Sequence, residues 1–579
     1  MATAGEDKDI RYEPHENPPL GVAIGAGLQA AAIIVAPVVL TVVIVARIAQ
    51  QSDSYISWAV FAALIISGLT TALQARRVGR FGAGYVLIMG TSGAFIAVCV
   101  AALVRGGPST MASLIIVSSF IQFLMARRLS LLRRVFTPVV SGTVIMLIAA
   151  TVVPILFDSL TDVPGGVSTA AAPLASLATF LTVAAVVLRA PPAWRLWSPV
   201  IGIAVGCAVA APYGLYDFQP VLDASWVGVP ISSWPGFDLT PNAEFWALLP
   251  AFVVVTLVGA IETLGDGVAI QRVSNRRHRA TDFRVVQGAL NADGMGNLLS
   301  GIGGTLPNTT YSTSISLAEV TGIAARRVGV IIGAVFVGIA FFPKVAALLT
   351  SIPPPVAAAY LLVLLGLLFV QGMKIIVQDG VDHRKATVVG VSFWMGVGFQ
   401  NQWIFPDLLG EGFLGVLFGN GMTSGAIVAI VMVVFMEATG PRRKRLELVL
   451  DWDALPRMGE FLRNFAAGSG WNPDRVEQLV LVGEETLSNL LSAEDDALEK
   501  PRHVVVAARY VRNGAELEFV CASERENLED RLSYMGGALE IPDTREMSFR
   551  LLRHYASSVR HQKYHDVDII TVSVEGSRK

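Results

Sequence analysis

Long apolar stretches separated by basic loops constrain this chain more than any other feature of its sequence. A helix needs roughly 20 apolar residues to cross a bilayer, and many of the stretches approach that length. Only 16% of the residues are charged, against about a quarter in soluble proteins. The sequence therefore predicts an all-α polytopic membrane protein with fourteen segments, the tenth too short for an ordinary span: 20–48, 55–75, 82–104, 110–126, 136–157, 173–189, 196–215, 245–271, 285–303, 308–322, 327–349, 355–372, 385–402 and 413–437.

The distribution of positive charge predicts the topology. Basic residues cluster in every second loop, namely Arg76, Arg77 and Arg80; Arg127, Arg128, Arg133 and Arg134; Arg189 and Arg195; Arg272, Arg276, Arg277 and Arg279; Arg326 and Arg327; Lys374, Arg384 and Lys385; and residues 442–445. By the positive-inside rule both termini are cytoplasmic and the number of crossings is even. Because the clusters alternate with spans, we interpret them as topology signals and expect no nucleic-acid partner.

Composition divides the chain into three regions. Residues 1–18 form a polar cytoplasmic tail without a signal-peptide pattern, and residues 19–440 form the membrane domain. After Phe435 the sequence becomes charged and amphipathic, and residues 445–579 are predicted to form a cytoplasmic α+β domain. Its predicted elements are strands at 445–450, 502–510, 514–521 and 566–574 and helices at 454–466, 473–491 and 547–560.

Two stretches inside the membrane domain resist a plain helical interpretation. Residues 84–95 (GYVLIMGTSGAF) and 303–317 (GGTLPNTTYSTSISL) combine β-branched residues, Gly or Pro, and hydroxyl or amide side chains. Extended backbone at membrane depth needs protein or a cavity around it. The stretches belong to the third and tenth segments, equivalent positions if the chain is two repeats of seven, and such a pair points to the midplane site of a transporter.

Two acids lie in the eighth segment. Glu262 and Asp266 are four residues apart, so both project from one face of a helix. A charged group at this depth costs roughly 2.5–3.5 kcal/mol on insertion scales and marks a functional site by default. We predict that the pair binds a ligand and exchanges a proton, since burial and a close like charge both favour the protonated form of a carboxyl group. The alternative is that both acids brace the helix.

The other candidate ligand-binding residues lie in the interrupted segments. The hydroxyl-rich run 307–314 is longer than a helix cap requires, although capping is the alternative function. Asp293 and Glu319, in or beside spans, are interpreted as bonding to neighbouring backbone or a loop. The predicted substrate-binding residues beside the two acids are Tyr311, Ser312, Thr313 and Ser314 from this run, Ser92 and the aromatic Phe95 from the third segment, and Gln29 from the first.

Motifs of catalysis and metal binding do not accompany these residues. The membrane part has no phosphate-cradling glycine loop, no zinc-ligand spacing and no nucleophile elbow, and no His lies in a predicted span. The three cysteines, Cys99, Cys207 and Cys521, suggest neither a disulfide framework nor a metal cluster. We therefore predict a protein that is not an enzyme and holds no metal or organic cofactor.

Residues 18–440 resemble the nucleobase–ascorbate transporters, which include bacterial uracil, xanthine and uric acid permeases. The resemblance runs through ordered motifs: GLQ (27–29), MGTSGAF (89–95), RRVFTPVVSGTVIMLI (133–148), ETLGD (262–266), NADGMGNLLSGIGG (291–304) and PNTTYSTSISLAEVTG (307–322). It implies two inverted seven-segment repeats, with short strands in segments three and ten, in the plasma membrane of a bacterium. It also implies a core at about 19–128 and 244–350 and a gate at about 133–216 and 354–438.

The same resemblance implies a function for the site. Substrate would bind between the third and tenth segments, and transport would be an elevator movement of core against gate, coupled to protons or sodium. Glu262 matches the acid that binds nucleobase N–H groups, and Asp266 matches the second polar position of the motif. Family members are often dimers through the gate.

Three positions depart from the family pattern. Thr313 stands where members carry Gln or Glu in contact with the base, Ala30 where many carry His, and Gly93 where an aromatic is common. All three changes remove side chain from the expected pocket. We therefore expect a roomier site for a bulkier or differently hydrogen-bonded heterocycle.

The C-terminal domain resembles the anti-sigma-type histidine-kinase-like ATPases. Residues 475–491 (RVEQLVLVGEETLSNLL) are similar to their N-box helix, in which Glu485 would be the basic catalyst and Asn489 a magnesium ligand. The glycine boxes are missing, so nucleotide phosphates would have no cradle. The resemblance implies a degenerate regulatory or dimerising module.

The leading interpretation is a secondary active transporter that imports a nucleobase such as xanthine, uric acid or uracil together with a cation. Two alternatives remain open. One is an anion transporter of the same fold, against which the acids Glu262 and Asp266 count. The other is a membrane sensor that signals through the C-terminal domain.

Overall fold

The structure is a computed structural model, in which two compact units are distinguished. One unit contains residues 9–275 and 285–436, and the other contains 276–284 and 437–579. The residues described are 10–132, 137–161, 163, 167–195, 197–238, 240–277, 279–378, 380–409, 413–440, 443–467, 471–492, 503–511, 514–521, 551–552, 554–565 and 567–575. Half of the predicted N-terminal tail, residues 1–9, therefore lies outside the description.

The first unit is helical apart from two three-residue strands. The strands are β1 (Met89–Thr91) and β2 (Asn308–Thr310). The helices are α1 (Leu20–Ile48), α2 (Asp53–Arg76), α3 (Ile96–Arg127), α4 (Leu129–Leu132), α5 (Pro138–Ser159), α6 (Ala171–Arg189), α7 (Pro192–Arg195), α8 (Ser198–Ala210), α9 (Gln219–Asp223), α10 (Ala243–Val273), α11 (Phe283–Gly303), α12 (Thr313–Thr321), α13 (Arg326–Ala340), α14 (Pro343–Thr350), α15 (Pro354–Gln378), α16 (His383–Gln400), α17 (Pro406–Leu409), α18 (Phe413–Gly419) and α19 (Gly421–Ala438).

Helix length and composition confirm a multi-pass membrane protein. Within the described residues, 8 helices are long and apolar enough to cross a bilayer, or up to 9 if α13 and α14, bent by 86°, form one span. The third and fourth predicted segments meet inside α3, where Gly107 interrupts the helix with a φ of 76°. The count of fourteen crossings and the inverted repeats stay predictions.

The helices of this unit pack in two groups. Helices α1, α2, α3, α10 and α13 contact one another, and α5, α6, α8, α15 and α16 contact one another. The first group carries the predicted acids on α10, and both short strands lie against it through α1, α2 and α10. The predicted division into a moving core and a gate is not tested by this packing and stays a prediction.

Glycines let helices α2 and α13 approach within backbone contact. A Cβ atom built on Gly68 of α2 would lie 2.5 Å from the carbonyl oxygen of Gly333 on α13, and a Cβ on Gly333 would collide with the carbonyl oxygen of Gly68. Small residues at helix contacts are how helices associate in lipid, where apolar burial gives little driving force. The close crossing fixes α2, whose Thr71 supports β1.

The second unit is built on a five-stranded antiparallel sheet. Its strands are β3 (Lys444–Val449), β4 (His503–Val511), β5 (Gly514–Cys521), β6 (Ser558–Lys563) and β7 (Asp568–Glu575), in the order β3-β4-β5-β7-β6. Alternate residues such as Val506, Phe519 and Ile570 are fully buried. They form a core with α20 (Ala454–Ala466) and α21 (Pro473–Ser492), as the period-two pattern of each strand requires.

The predicted helix at 547–560 is wrong at its C-terminal end. Residues Ser558–Lys563 form strand β6, which pairs with β7 from Ser558↔Ser573 to Lys563↔Asp568. The side chains alternate, with His561 and Lys563 buried, and the neighbouring strand supplies a ladder that a local helical pattern does not reveal. The start of that helix and most of the two stretches where the glycine boxes are missing fall within residues 522–550, outside the described residues.

The crossing of α2 and α13 gives a stability prediction. Gly333→Ala is expected to lower the free energy of unfolding by about 1–3 kcal/mol, because the new methyl group overpacks a backbone contact. Gly338→Ala on the same helix is the matched control, since a Cβ there meets nothing within 4 Å. Thermal unfolding in detergent measures both, and equal midpoints for the two variants would show that the close crossing is unimportant.

Candidate functional site

Strands β1 and β2 lie side by side within the candidate site. They pair antiparallel with the register Met89↔Thr310, Gly90↔Thr309 and Thr91↔Asn308, and all six residues are buried. The ladder continues at both ends through Ser92 N to Pro307 O (2.8 Å) and Tyr311 N to Ile88 O (2.9 Å). The structure thus places strands in the third and tenth segments, where the sequence predicts interrupted helices.

Polar side chains accept hydrogen bonds from the backbone amides at the outer edges of this two-stranded ladder. The Met89 amide donates to the Thr71 hydroxyl at 2.9 Å, and the Asn308 amide donates to the Asn297 carbonyl oxygen Oδ1 at 2.7 Å. The Ile88 amide donates to Ser314 Oγ at 2.9 Å. Unpaired backbone groups at membrane depth cost several kcal/mol, so these side chains are what allows extended backbone here.

Helix α10 brings Asp266 against β2 and the start of α12. Its two carboxylate oxygens accept hydrogen bonds from the Thr310 hydroxyl and the Ser312 hydroxyl, each at 2.7 Å. The side chain is 1% exposed. Asp266 is therefore fully engaged by the tenth segment, and it ties helix α10 to the paired strands.

A third acid, Asp293 on α11, lies in the same network. It is fully buried and accepts hydrogen bonds from Thr263 Oγ1 at 2.6 Å and Gln122 Nε2 at 2.5 Å. Asn297 in turn donates to Gln122 Oε1 at 2.7 Å. The prediction that Asp293 bonds to neighbouring backbone or a loop is wrong, because its partners are side chains of α3 and α10.

Glu262 differs from the other two acids. It is half-buried on α10, and it makes no hydrogen bond in the part of the chain that the structure describes. The negative charges of Asp266 and Asp293 both act on it. An acid held inside a membrane protein, beside two other acids and without a donor of its own, is available to accept hydrogen bonds from a ligand.

The remaining predicted residues fall into two sets. Ser314 and Tyr311 hold the backbone together: Ser314 donates to Tyr311 O at 2.6 Å, and the Tyr311 hydroxyl donates to Thr91 O at 2.8 Å. Thr313 is half-buried at the start of α12. The Ser92 hydroxyl is buried and, among the described residues, has no hydrogen-bond partner. Both hydroxyls are therefore available to a ligand.

Phe95 and Gln29 are placed differently. Phe95 is 1% exposed, and its ring atom Cε2 lies 3.5 Å from the position of a Cβ on Gly259, one turn before Glu262. Its ring contacts that of Phe252 with a centroid distance of 6.3 Å. Gln29 is half-buried in α1 and takes no part in the hydrogen bonds described above. Glu319, on α12, is exposed.

The sequence interpretation missed several residues of the network. Thr263, Gln122 and Asn297 connect α3, α10 and α11 through Asp293, which the sequence interpretation named but gave other partners. Asp293 carried the signal that identified Glu262, an acid within an apolar segment. Gln371 on α15 was also missed; its amide donates to Ser312 Oγ at 2.9 Å.

Coupling ions and cofactors are not defined by this geometry. Among the described residues, no group of three or more His, Cys, Asp or Glu side chains is arranged to hold a metal ion. In the second unit, Asn489 donates to the carbonyl oxygen of Glu485 at 2.8 Å, one turn back in its own helix. The likeness of that unit to a degenerate ATPase stays a prediction.

The first unit has the helices of a multi-pass membrane protein, with three acids on α10 and α11 beside two short strands. The family model Xan_ur_permease, described as a permease family, matches residues 21–403. The chain belongs to this family, which confirms the resemblance seen in its motifs.

Named relatives agree with this assignment. CPE0397 of Clostridium perfringens, named as a purine permease, is 31% identical over 66% of this chain and 83% of its own. The xanthine permease XanP of Escherichia coli K12 is 27% identical over 74% of this chain and 94% of its own. The uric acid permease PucK of Bacillus subtilis 168 is 27% identical over 72% and 95%. These relatives are named as transporters and not as enzymes.

The hydroxyl donors to Asp266 give a second stability prediction. Thr310→Val keeps the shape of the side chain but leaves one buried carboxylate oxygen without its donor, so the free energy of unfolding should fall by about 1–3 kcal/mol. Thr387→Val on α16 is the control, because that hydroxyl is exposed and bonds to its own helix at His383 O. If thermal unfolding in detergent gave the same midpoint for both variants, the bond to Asp266 would carry no stabilisation.

Proposed function

We propose that this protein is a secondary active transporter that imports a nucleobase such as xanthine, uric acid or uracil, with a proton as the coupling ion. The observation that carries the proposal is Glu262. It lies in an apolar helix beside two engaged acids, and no hydrogen bond to it is found among the described residues. The names of the relatives support the substrate class.

The chemistry of a nucleobase fits this acid. Nucleobases present ring N–H groups along a flat edge, and a carboxylate accepts such donors with both oxygens. The Ser92 and Thr313 hydroxyls can donate to or accept from other ring positions. Phe95, packed one turn before Glu262, supplies an aromatic surface that suits a planar ligand.

Proton coupling follows from the same cluster. The charges of Asp266 and Asp293 act on Glu262, and the charge of Asp266 acts on Asp293. Neighbouring negative charges oppose one another, so uptake of one proton relieves the repulsion. We propose Glu262 and Asp266 as the coupling pair, because Glu262 is the acid that a ligand would contact and Asp266 lies one turn away on the same helix face.

The size of the site is the part of the proposal that is particular to this chain. A Cβ atom built on Gly93 would meet nothing within 4 Å. Thr313, in place of a longer amide or acid, leaves further room at the start of α12. These positions support a heterocycle larger than the usual purine or uracil, or one with different hydrogen-bonding groups.

The transport movement and the assembly are proposed on the same basis. The two groups of packed helices are the candidates for a core and a gate, and an elevator movement of one against the other would carry the site across the membrane. A homodimer through the gate, with both termini in the cytoplasm of a bacterium, completes the proposal. The alternatives, an anion transporter and a sensor, are less well supported, because the acids would repel an anion and the relatives are permeases.

The central acid gives the first test of this function. Glu262→Gln keeps the volume of the side chain but removes its charge, so uptake of radiolabelled xanthine into vesicles, with and without a pH gradient, should fall to background. Membrane insertion should be preserved. Glu319→Gln makes the same chemical change at an exposed position of α12 and should transport like the wild type. Unchanged kinetics in Glu262→Gln would refute the assignment of the site.

The departure at Thr313 gives a second test. Thr313→Gln restores the side chain that the family carries, and one added hydrogen bond of about 1 kcal/mol should strengthen xanthine binding about fivefold. The thermal stabilisation by xanthine and by bulkier heterocycles measures this affinity, since ligand binding adds directly to stability. Thr387→Gln is the control. An equal response of the two variants, or tight uracil-only binding by the wild type, would count against the roomier site.

A further inference from the structure

One side chain joins the site to the other group of helices. Gln371 lies on α15, which packs mainly with α5 and α6 and touches the α10 group through α1. Its amide nitrogen Nε2 donates to Ser312 Oγ at 2.9 Å. Ser312 immediately precedes α12, and its hydroxyl donates to Asp266 Oδ1 at 2.7 Å. A chain of two hydrogen bonds therefore runs from α15 to the acid of α10.

The direction of the two hydrogen bonds follows from which groups can donate and which can accept. An ionised carboxylate is only an acceptor, and a hydroxyl has one hydrogen to give. While Asp266 is ionised and receives the hydrogen of Ser312, the oxygen of Ser312 is left to accept from Gln371. Because each bond polarises the next, the two bonds strengthen one another. The second oxygen of Asp266 is held by Thr310 at 2.7 Å, which fixes the carboxylate in place.

We propose that Gln371 is a positioning residue of the transport cycle. It acts through Ser312 to hold the helices that carry the site against α15. This inference rests on the proposed transport function and adds to it a specific contact between the two helix groups. The hold is broken when those groups move apart, and it is weakened when Asp266 no longer takes the Ser312 hydrogen. A neutral hydrogen bond contributes about 1 kcal/mol, so its removal shifts a two-state equilibrium about fivefold.

A positioning role and a ligand-binding role of Gln371 predict different kinetics. A residue that touches substrate changes the dissociation constant when it is replaced. A residue that holds one state of the transporter changes the maximal rate and leaves the binding contacts intact. The distinction can be measured with Gln371→Leu, which keeps much of the volume of the side chain and removes the donor.

The first experiment measures the contact itself on the full chain in lipid nanodiscs, without any substrate. Hydrogen exchange of the peptide that covers β2 and α12, residues 308–321, should be about fivefold faster in Gln371→Leu than in the wild type, the factor expected from the lost bond. Ser312→Ala removes the hydroxyl that links Gln371 to Asp266 and should accelerate hydrogen exchange in the same peptide. Met373→Leu, an exposed change two residues further along α15, is the control and should leave the exchange unchanged.

The second experiment measures transport with xanthine as the probe. Gln371→Leu should change the maximal uptake rate about fivefold, the factor given by the same bond, while the dissociation constant of xanthine stays within about twofold of wild type. The double variant with Ser312→Ala should change the rate no further than Ser312→Ala alone, because Ser312→Ala already removes the bond that Gln371 makes.

Three results would overturn the inference. The first is unchanged hydrogen exchange in residues 308–321 of Gln371→Leu. The second is additive effects on the uptake rate in the double variant. The third is a raised dissociation constant of xanthine with an unchanged maximal uptake rate. The last would make Gln371 a substrate ligand. If the wild type took up no xanthine, the proposed function would fail for that substrate, and the exchange experiment would still decide whether Gln371 holds α12.

Discussion

Extended backbone inside a bilayer is tolerated only where every polar group has a partner, and the structure of the site depends on this requirement. Strands β1 and β2 satisfy one another across three residue pairs. Their outer edges are satisfied by Thr71 of α2, Asn297 of α11 and Ser314 of α12. Each of these helices is thereby fixed relative to the two paired strands, so the strands organise the helices that surround the site.

The same requirement separates the three acids by role. Asp266 and Asp293 each accept from two side-chain donors: those of Asp266 lie in β2 and just before α12, and those of Asp293 lie on α10 and α3. Thr310 belongs to β2 and also donates to Asp266, so one residue serves both the backbone ladder and the acid network. Both donors to Asp293 bond to Oδ2, and its buried Oδ1 has no partner among the described residues. Glu262 is the one of the three acids to which no described residue donates. The proposed roles of Glu262 in substrate binding and proton coupling rest on this difference.

Much of this arrangement could be predicted from the sequence, because the signals are local. The strands at Met89–Thr91 and Asn308–Thr310 lie within stretches where Gly, Pro and β-branched residues interrupt an apolar helix. The shared face of Glu262 and Asp266 follows from helical spacing. The partners of Asp293 could not be predicted, since Gln122 is 171 residues away in the chain and only helix packing brings the two together.

Gln371 and strand β6 were missed for the same reason. Gln371 is an ordinary polar residue in an apolar helix until α15 is packed against the start of α12. Strand β6 depends on pairing with β7, and its own sequence of mixed charge gives little preference for a strand. Local pattern therefore specifies where the backbone departs from helix, and tertiary packing specifies which polar side chains meet there.

The central claim is that Glu262 binds the substrate, and a cryo-EM structure of the protein with xanthine bound tests it most directly. The account predicts a ring N–H of xanthine within about 2.7–3.2 Å of a Glu262 carboxylate oxygen, between the segments that carry β1 and β2. Density for xanthine away from α10, or a Glu262 side chain turned toward lipid, would contradict it.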